Sequence, residues 1–413
     1  MSINGNTIIE DLELLASYTE EAGLLTRTFL TDQHQQAATQ LTTWMTEAGM
    51  SVRIDAAANV IGRYEGNQPG LPALLIGSHY DTVRNAGKYD GAYGVVAGIH
   101  CIRELVSSQT RFPFALEVVG FSEEEGVRYN ATLLGSRAMA GTFDHSLLER
   151  KDGSGITMAT AFKESGLDPA RIDDAARDAR ELLGYIELHI EQGPVLLTEN
   201  LPVGVVTAIA GAKRFDITVL GLAGHAGTVP MSLRQDAATA TAEAILFVEH
   251  YCQSEAGMVG TVGKVSVPAG AANVIPGKTE FSLDIRAASN QQLDAATRDI
   301  LEHFQQIAEK RDVTFDVHCT HDAPAAPCSP ALVQQLKQAV AAQSIQPMTL
   351  PSGAGHDAMA IATITEICML FVRCGNGGIS HHPTETMTAD DAAAGVNVLL
   401  DFVRNFPAAE TTN

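Results

Sequence analysis

Residues that could bind a metal or move a proton follow an apolar run near the first quarter of the chain. The run from Ala73 to Gly77 is typical of a strand buried on both faces, and Ser78, His79 and Asp81 follow it directly. Ligand sites of open α/β sheets lie at the carboxyl ends of strands. A neutral imidazole can bind a metal there, and a carboxylate can orient the ring. A hydrogen-bonded structural pair explains His79 and Asp81 equally well, so other segments must decide.

A second apolar run ends in three consecutive glutamates. The strand-like segment 114–121 precedes Glu123, Glu124 and Glu125, and a Gly-rich loop presents Asp90 at the same predicted edge of the sheet. A solvated acidic turn is the usual explanation for such a run. Carboxylates crowded together would repel one another and raise their pKa values unless a cation joined them. The combination favours a metal site.

Later segments supply more imidazoles. Residues 184–193 alternate strictly between apolar and polar types, which places Glu187, His189 and Glu191 on one face of a strand. The strand is either half exposed with a solvated histidine, or it directs His189 into a cleft with Gln192 at the rim. Two Gly-rich polar loops also contain histidine: residues 352–357 and 378–383.

Composition limits the class of protein. A chain of 413 residues exceeds the size at which single cores stop growing, which predicts two domains. The net charge of −22 argues against nucleic acid or an anionic membrane as partner, and an anionic substrate would need a local cluster of arginine or lysine. Six scattered cysteines, an N-terminus without a basic signal region and the lack of a long apolar run predict a cytoplasmic protein.

The order of predicted elements indicates an α/β fold. Helices are expected at 7–24 and at 32–48, the latter capped by Asp32, and strands alternate with helices as in a doubly wound, mostly parallel sheet. From residue 211 the pattern becomes β-α-β-β-α-β, the ferredoxin-like order, until a proline-rich return linker at 321–330. The predicted domains are a catalytic domain over 1–210 and 323–413, and an inserted ferredoxin-like α+β dimerisation domain over 211–322.

Taken together, the motifs resemble the hydantoinase/carbamoylase family of di-metal amidohydrolases. This family includes allantoate amidohydrolases, N-carbamoyl-L-amino acid hydrolases and β-ureidopropionases, and it is related to di-zinc aminopeptidases. The resemblance covers essentially the whole chain, and the order and spacing of the motifs are more specific than any one of them. The motifs are Gly-Ser-His-Tyr-Asp-Thr-Val, Tyr-Asp-Gly, Glu-Glu-Glu-Gly, Glu-Leu-His-Ile-Glu-Gln-Gly, Gly-His-Ala-Gly-Thr-x-Pro-Met, Asn-Val-Ile-Pro-Gly, Ser-Gly-Ala-Gly-His-Asp and Gly-Ile-Ser-His-x-Pro.

The resemblance implies a site for two divalent metal ions. Asp90 would bridge them, with His79 and His189 as ligands of one ion and Glu125 and His381 as ligands of the other. Such a donor set suits Zn²⁺ or Mn²⁺. Two such ions can bind a water between them and lower its pKa towards neutrality.

The resemblance also implies the catalytic roles. Glu124 would be the general base that takes the proton of the water and later delivers it to the leaving nitrogen, and His225 would steady the oxyanion. Because adjacent strand residues point to opposite faces, Glu124 and Glu125 can converge only where the strand has become a loop. The implied substrate contacts are Gln192, Arg214, Asn273, Arg286 and Gly355.

The chain departs from the family pattern at two places. Asn85-Ala86-Gly87 replaces the more usual paired glycines before the bridging aspartate. A second histidine, His382, stands beside His381, so either could be the ligand, and the Ser-His-x-Pro pattern favours His381.

The function that the resemblance implies is hydrolysis of a ureido C–N bond in a small carboxylate. The leading substrate is allantoate, which would give ureidoglycine, ammonia and CO₂ in a step of purine catabolism, because the stretch 121–129 is closest to that branch. N-carbamoyl-L-amino acids and β-ureidopropionate are the alternatives, and a non-catalytic ligand-binding relative is the alternative outside this class. The family further implies a homodimer, formed through the inserted domain, in which His225 reaches the metals of the neighbouring subunit.

Overall fold

The computed structural model of the protein describes residues 3–407. Its helices are α1 Gly5–Ala16, α2 Asp32–Glu47, α3 Ala92–Ser107, α4 Leu134–Met139, α5 Met158–Glu164, α6 Val195–Thr198, α7 Ala237–Ser254, α8 Asn290–Arg311, α9 Pro330–Ala342, α10 Ala358–Ile361 and α11 Ala389–Arg404. Its strands are β1 Ser51–Ile54, β2 Val60–Tyr64, β3 Ala73–His79, β4 Ala115–Phe121, β5 Leu182–Ile190, β6 Val203–Ile209, β7 Gly211–Leu220, β8 Gly224–His225, β9 Met258–Thr261, β10 Val265–Ser266, β11 Val274–Ile275, β12 Lys278–Ala287, β13 Thr314–Ala323, β14 Ala326–Pro327, β15 Thr349–Ser352 and β16 Ile367–Val372.

The chain divides into two compact units. The first contains residues up to 207 together with 328–350 and those from 354 onward, and the second contains 208–327 and 351–353. The sequence placed the changes of domain after residues 210 and 322. In the structure they follow residues 207 and 327, and β13 extends to Ala323.

A mixed sheet with a parallel centre forms the middle of the first unit. Strands β4, β3, β5 and β16 are parallel neighbours in that order, β2 and β1 continue the sheet antiparallel at one side, and β6 pairs antiparallel with β16 at the other. Every residue of β3 and β4 is buried, as expected for strands that are covered on both faces. The long helix α3 packs on β3 and against α11, and the side chains between them form the main hydrophobic core.

The burial of strand β5 decides between the two interpretations of its alternating sequence, a half-exposed strand and a strand that directs His189 into a cleft. All of its residues except Leu183 are buried, so the half-exposed strand with a solvated histidine is wrong. Glu187 can be buried because both of its carboxylate oxygens are hydrogen-bonded. The hydroxyl of Ser78 donates to Oε1 at 3.2 Å, and the backbone N–H of Ala358 donates to Oε2 at 2.9 Å.

The second unit is a layer of two helices on an antiparallel sheet. The strand order is β9 with β10, then β12, β7 and β13, and the chain order is β7, α7, β9, β12, α8, β13, with the short strands β10 and β11 between β9 and β12. Alternate residues of β7 and β12 are buried beneath α7 and α8. The other face of this sheet carries charged and polar side chains around a cavity of about 750 Å³.

Several element boundaries differ from the sequence predictions. Helix α1 ends at Ala16 and not at residue 24. The guanidinium of the buried Arg27 donates to the carbonyl oxygens of Leu15 at 2.7 Å and Tyr18 at 3.3 Å. In a longer helix these carbonyls would instead accept backbone N–H groups of the next turn. The N-cap of α2 is Thr31, whose hydroxyl accepts the N–H of His34, so the assignment to Asp32 was wrong. Within residues 3–407, no helix combines the length and apolarity needed to cross a bilayer.

Candidate metal and catalytic site

Three neighbouring parallel strands bring the predicted ligands to one edge of the sheet. His79 is the last residue of β3, and its neighbour in β4 is Phe121, so the loop after Phe121 begins beside His79. Strand β5 pairs with the other side of β3 and carries His189 near its own carboxyl end. The carboxyl ends of parallel strands share an edge, and this arrangement therefore places the three predicted segments together.

Asp90 lies between the two groups of histidines. Its Oδ1 is 3.3 Å from Nε2 of His189 and 4.0 Å from Nε2 of His79, and its Oδ2 is 3.1 Å from Nε2 of His381. Each carboxylate oxygen thus faces a different set of imidazoles, which is the arrangement expected of a bridging ligand. Asp90 stands just before α3, where the positive end of the helix dipole favours a carboxylate.

The residue after Asp90 has to be glycine. Gly91 has φ +62°, and a Cβ at this position would lie 2.3 Å from the imidazole ring of His79. A side chain here would be strained and would also displace a predicted ligand.

Asp81 holds the loop in which the consecutive residues Glu124 and Glu125 both come close to His79. Strand β4 ends at Phe121, and in the loop that follows, the backbone N–H groups of Glu124 and Glu125 donate to the two oxygens of Asp81 at 3.0 and 3.2 Å. Oδ1 of Asp81 is also 3.3 Å from Nδ1 of His79, the contact expected of a carboxylate that orients a ligand ring. His79, Glu124 and Glu125 therefore form one group with ligand atoms within 4.8 Å of each other.

His381, and not His382, is directed at the carboxylates. Nε2 of His381 is 3.3 Å from Oε1 of Glu125 as well as 3.1 Å from Asp90, and the residue has φ +55°. Nδ1 of His382 lies instead 2.7 Å from the hydroxyl of Thr384. The geometry thus agrees with the choice that the Ser-His-x-Pro pattern favours.

Charge and burial separate the pKa values of the carboxylates. Burial and the adjacent Glu125 raise the pKa of Glu124 well above its ordinary value, and burial together with Asp90 raises the pKa of Glu125 to about 8. Burial also opposes ionisation of Asp90, but the hydrogen bond to His381 and the nearby His189 lower its pKa. The hydrogen bond to Asp90 in turn raises the pKa of His381 to about 9. Such buried, crowded acids are stabilised by cations.

The donor set fits two divalent metals. His79, Asp90 and His189 form one group with ligand atoms within 4.8 Å, and Asp90, Glu125 and His381 form another. The shared aspartate, with imidazole and carboxylate oxygen on each side, suits zinc or manganese.

Gln192 lies in the same cluster. Its side-chain N–H₂ group is 3.1 Å from both oxygens of Asp90 and 3.4 Å from the hydroxyl of Ser380. Gly355 stands beside the predicted base, since a Cβ on it would be 3.8 Å from Oε1 of Glu124. The structure thus places both of these predicted substrate contacts next to the predicted metal ligands or the predicted base.

The remaining predicted residues belong to the second unit, where they form two pairs. His225 is exposed in β8 opposite Val274 of β11, and the backbone carbonyl of Asn273 accepts the N–H of Ala226 at 3.0 Å. Arg214 and Arg286 are on neighbouring strands, β7 and β12, and line the cavity on the open face of that sheet.

Asp284 holds both arginines. Its Oδ2 accepts Nε–H of Arg214 at 2.8 Å, and its two oxygens accept Nε–H and Nη2–H of Arg286 at 2.9 and 3.1 Å. Nη1 of Arg286 also donates to the carbonyl of Gly353 at 2.7 Å. Of its five N–H donors, Arg286 keeps one on each terminal nitrogen for a ligand.

The sequence did not predict a role for four buried residues near the site: Glu187, His356, Asp357 and Glu385. Glu187, His189 and His356 form a further group of potential ligands, and Asp357 follows directly. The two-residue period of β5, which places Glu187 on the face of His189, was a usable signal. The fourth, Glu385, had no such signal, because its partners are 295 and 296 residues away in sequence.

Comparisons with known proteins identify the family of the chain. The family model "Peptidase family M20/M25/M40" matches residues 75–405. An N-carbamoyl-L-amino-acid amidohydrolase from Pseudomonas sp. (strain NS671) is 41% identical over 381 residues, which cover 91% of this chain and 92% of the relative. An allantoate deiminase from Arabidopsis thaliana is 40% identical over 428 residues, 95% of this chain and 81% of the relative.

A solved structure matches at the level of the whole chain. The hydantoinase/carbamoylase family amidase from Burkholderia multivorans superimposes with a TM-score of 0.90 at 31% identity and with 97% of both chains covered. Proteins of the matched family use divalent metals, in agreement with the ligand groups described above. The match over residues 75–405 and the relatives near 40% identity show that this chain belongs to peptidase family M20/M25/M40, as an amidohydrolase that acts on carbon–nitrogen bonds.

Proposed function

We propose that the protein hydrolyses the ureido C–N bond of allantoate, giving ureidoglycine, ammonia and CO₂. The observation that carries the proposal is the buried His and carboxylate cluster of the first unit. The second unit separately contains Arg286, whose guanidinium uses three of its donors on Asp284 and Gly353 and has two left for a substrate carboxylate. A hydrolytic centre and a carboxylate anchor are the two parts that a ureido carboxylate requires. An N-carbamoyl-L-amino acid is the second candidate, supported by the 41% identical relative.

The proposed mechanism assigns the proton transfers to Glu124. Two divalent metals held by His79, Asp90, His189, Glu125 and His381 would supply an activated water and polarise the ureido carbonyl. Glu124 takes a proton from the attacking water and returns it to the leaving nitrogen. Asp81 holds the backbone of Glu124 in position for both transfers.

Substrate contacts are proposed on both sides of the reacting carbon. The amide of Gln192 and the backbone at Gly355 lie near the ligands and would contact the ureido group. Arg286, with Arg214 beside it, would bind the carboxylate, and Asn273 would donate to the substrate. His225 would steady the oxyanion, acting from the partner chain of a homodimer.

A substrate panel tests the proposal. Protein reconstituted with Zn²⁺ or Mn²⁺ is assayed for ammonia release from allantoate, several N-carbamoyl-L-amino acids and β-ureidopropionate, and the chelated protein is the blank. We expect the highest kcat/KM with allantoate. A tenfold or greater preference for a carbamoyl amino acid would favour the second candidate. Absence of ammonia release from every ureido compound by metal-loaded protein would overturn both.

A further inference from the structure

Glu385 connects the two loops that carry the bridging aspartate and the second histidine. This side chain is 4% exposed, and its Oε1 accepts the backbone N–H groups of Tyr89 at 2.9 Å and Asp90 at 3.2 Å. Its Oε2 accepts the hydroxyl of Ser380 at 2.8 Å, one residue before His381. A single buried carboxylate thus fixes the backbone of Asp90 and the residue next to His381.

The loop before Asp90 is shaped around this carboxylate. A Cβ added to Gly87 would lie 2.2 Å from Cδ of Glu385 and 2.3 Å from its Oε1. Glycine is therefore required at 87. The contact with Glu385 thus explains why residue 87 is glycine.

Glu385 does not act as a ligand itself. Among the described residues it belongs to none of the groups whose ligand atoms lie within 4.8 Å of one another. It reaches the site through the N–H of Asp90 and through Ser380, whose hydroxyl oxygen also lies 3.4 Å from Nε2 of Gln192.

We propose that Glu385 is a positioning residue of the metal centre, which holds Asp90 and His381 at the separation at which both bind one ion. The inference rests on the metal assignment of the proposed function. Residues that orient metal ligands commonly change metal affinity 10- to 100-fold, roughly, when they are replaced.

The test compares zinc binding by Glu385 variants. We expect Glu385→Ala to weaken the zinc affinity about 10- to 100-fold, and Glu385→Gln, which keeps an oxygen for the two backbone N–H groups, to stay within about threefold of the wild type. Affinity is measured by competition with a chromogenic chelator, and ligand geometry by the visible absorption of the Co²⁺-loaded protein. Rescue by glutamine and a changed cobalt spectrum distinguish positioning from a general loss of stability.

A double-mutant cycle tests the contact with Gly87. Gly87→Ala alone should weaken zinc binding, because its Cβ displaces the Glu385 carboxylate. In a Glu385→Gly background the same change should have little further effect, since both the carboxylate and the Cβ that the new methyl group would displace are gone. Additive losses would contradict the proposal.

Glu117→Gln is the matched control. Glu117 is also a buried carboxylate, bound by Arg63 at 2.9 Å and by Arg177, but it lies in the middle of β4. Its replacement should lower the thermal stability of metal-free protein and leave the zinc affinity unchanged. If Glu385→Ala cannot be recovered folded, Gly87→Ala carries the test alone.

The outcomes separate the two hypotheses. Wild-type protein that binds no zinc would overturn the metal assignment itself. Wild-type protein that binds zinc, with a Glu385→Ala variant of equal affinity and an identical cobalt spectrum, would overturn the positioning role only. If Glu385→Ala is not recovered folded, a Gly87→Ala variant that binds zinc as tightly as the wild type would overturn the positioning role.

Discussion

Glu124 and Glu125 are adjacent in sequence, yet the proposed chemistry gives them different tasks. Both are held by Asp81 through their backbone N–H groups, and both are close to His79. Only Glu125 shares His381 with Asp90, at 3.3 Å from its Nε2. This contact supports Glu125 as the ligand and leaves Glu124 as the proton acceptor.

Glu124→Gln tests that division of labour. The change preserves size and removes the ability to accept a proton, so kcat should fall by at least about 10²-fold while two metals remain bound. Glu125→Gln is the matched comparison and should lose metal. Rate assays are read together with metal analysis of the same samples. A Glu124→Gln protein that loses metal but keeps its rate per bound metal would reverse the two assignments.

Asp284 fixes the guanidinium of Arg286, the proposed anchor of the substrate carboxylate. Arg286→Lys replaces the two remaining donors by a point charge, and KM for a carboxylate substrate should rise about 10- to 100-fold with a smaller change in kcat, as expected for charge-assisted hydrogen bonds. Steady-state kinetics with allantoate measure both constants. Arg298→Lys, at an exposed arginine of α8, is the control. An unchanged KM in Arg286→Lys would place the carboxylate anchor elsewhere.

At the scale of the elements, helix α2 contains a titratable residue that the site does not use. His34 is buried, its ring stacks on Tyr80 with centroids 4.4 Å apart, and its Nε2 lies 2.7 Å from the carbonyl oxygen of Ser122. Burial lowers the pKa of His34 to about 4. The helix is thus anchored to the end of β4 by a neutral imidazole.

This burial predicts a loss of stability in acid. Between pH 6.5 and about 4 the unfolded chain binds a proton at His34 that the folded chain does not, so the contribution is complete above pH 6.5 and decreases as the pH falls. The slope is at most about 1.4 kcal/mol per pH unit, on the order of 3 kcal/mol over the window. His34→Gln should therefore cost more stability at pH 7.5 than at pH 4.5.

Urea unfolding of metal-free protein at several pH values measures this difference. His145→Gln, at an exposed histidine, is the control for the removal of an imidazole. Parallel curves for wild type and His34→Gln would show that His34 does not contribute to the acid sensitivity.

The elements also show how far sequence reasoning reaches. Strand β4 was predictable to within one residue and β3 to within two, because an uninterrupted apolar run that ends in polar residues has few other interpretations. The end of α1 was not predictable, since it depends on a contact of the buried Arg27, whose guanidinium donates to the carbonyl oxygens of Leu15 and Tyr18. Glu385 illustrates the same limit: its role depends on a contact with a loop 295 residues earlier.

At the scale of the whole molecule, the two units carry different parts of the proposed site. The first holds every proposed metal ligand and Glu124, and the second holds His225, Asn273, Arg214 and Arg286. Several large apolar side chains of the second unit are exposed, among them Leu246 of α7 at 56%, Val259 of β9 at 55% and Val265 of β10 at 54%. An open strand edge with exposed apolar side chains is a surface that a second copy of the chain could cover by two-fold symmetry.

The final prediction concerns a homodimer whose active sites are shared between subunits. Inactive Glu124→Gln and His225→Ala chains are dissociated, mixed and allowed to reassociate, so that half of the dimers contain one chain of each kind. If His225 acts on the metals of its partner, each mixed dimer has one site without either lesion, and roughly a quarter of the wild-type activity should return. If His225 acts within its own chain, every site keeps a lesion. Mixed dimers that are verified by mass and remain inactive would exclude the shared site, and a protein that stays monomeric at assay concentration would exclude the dimer itself.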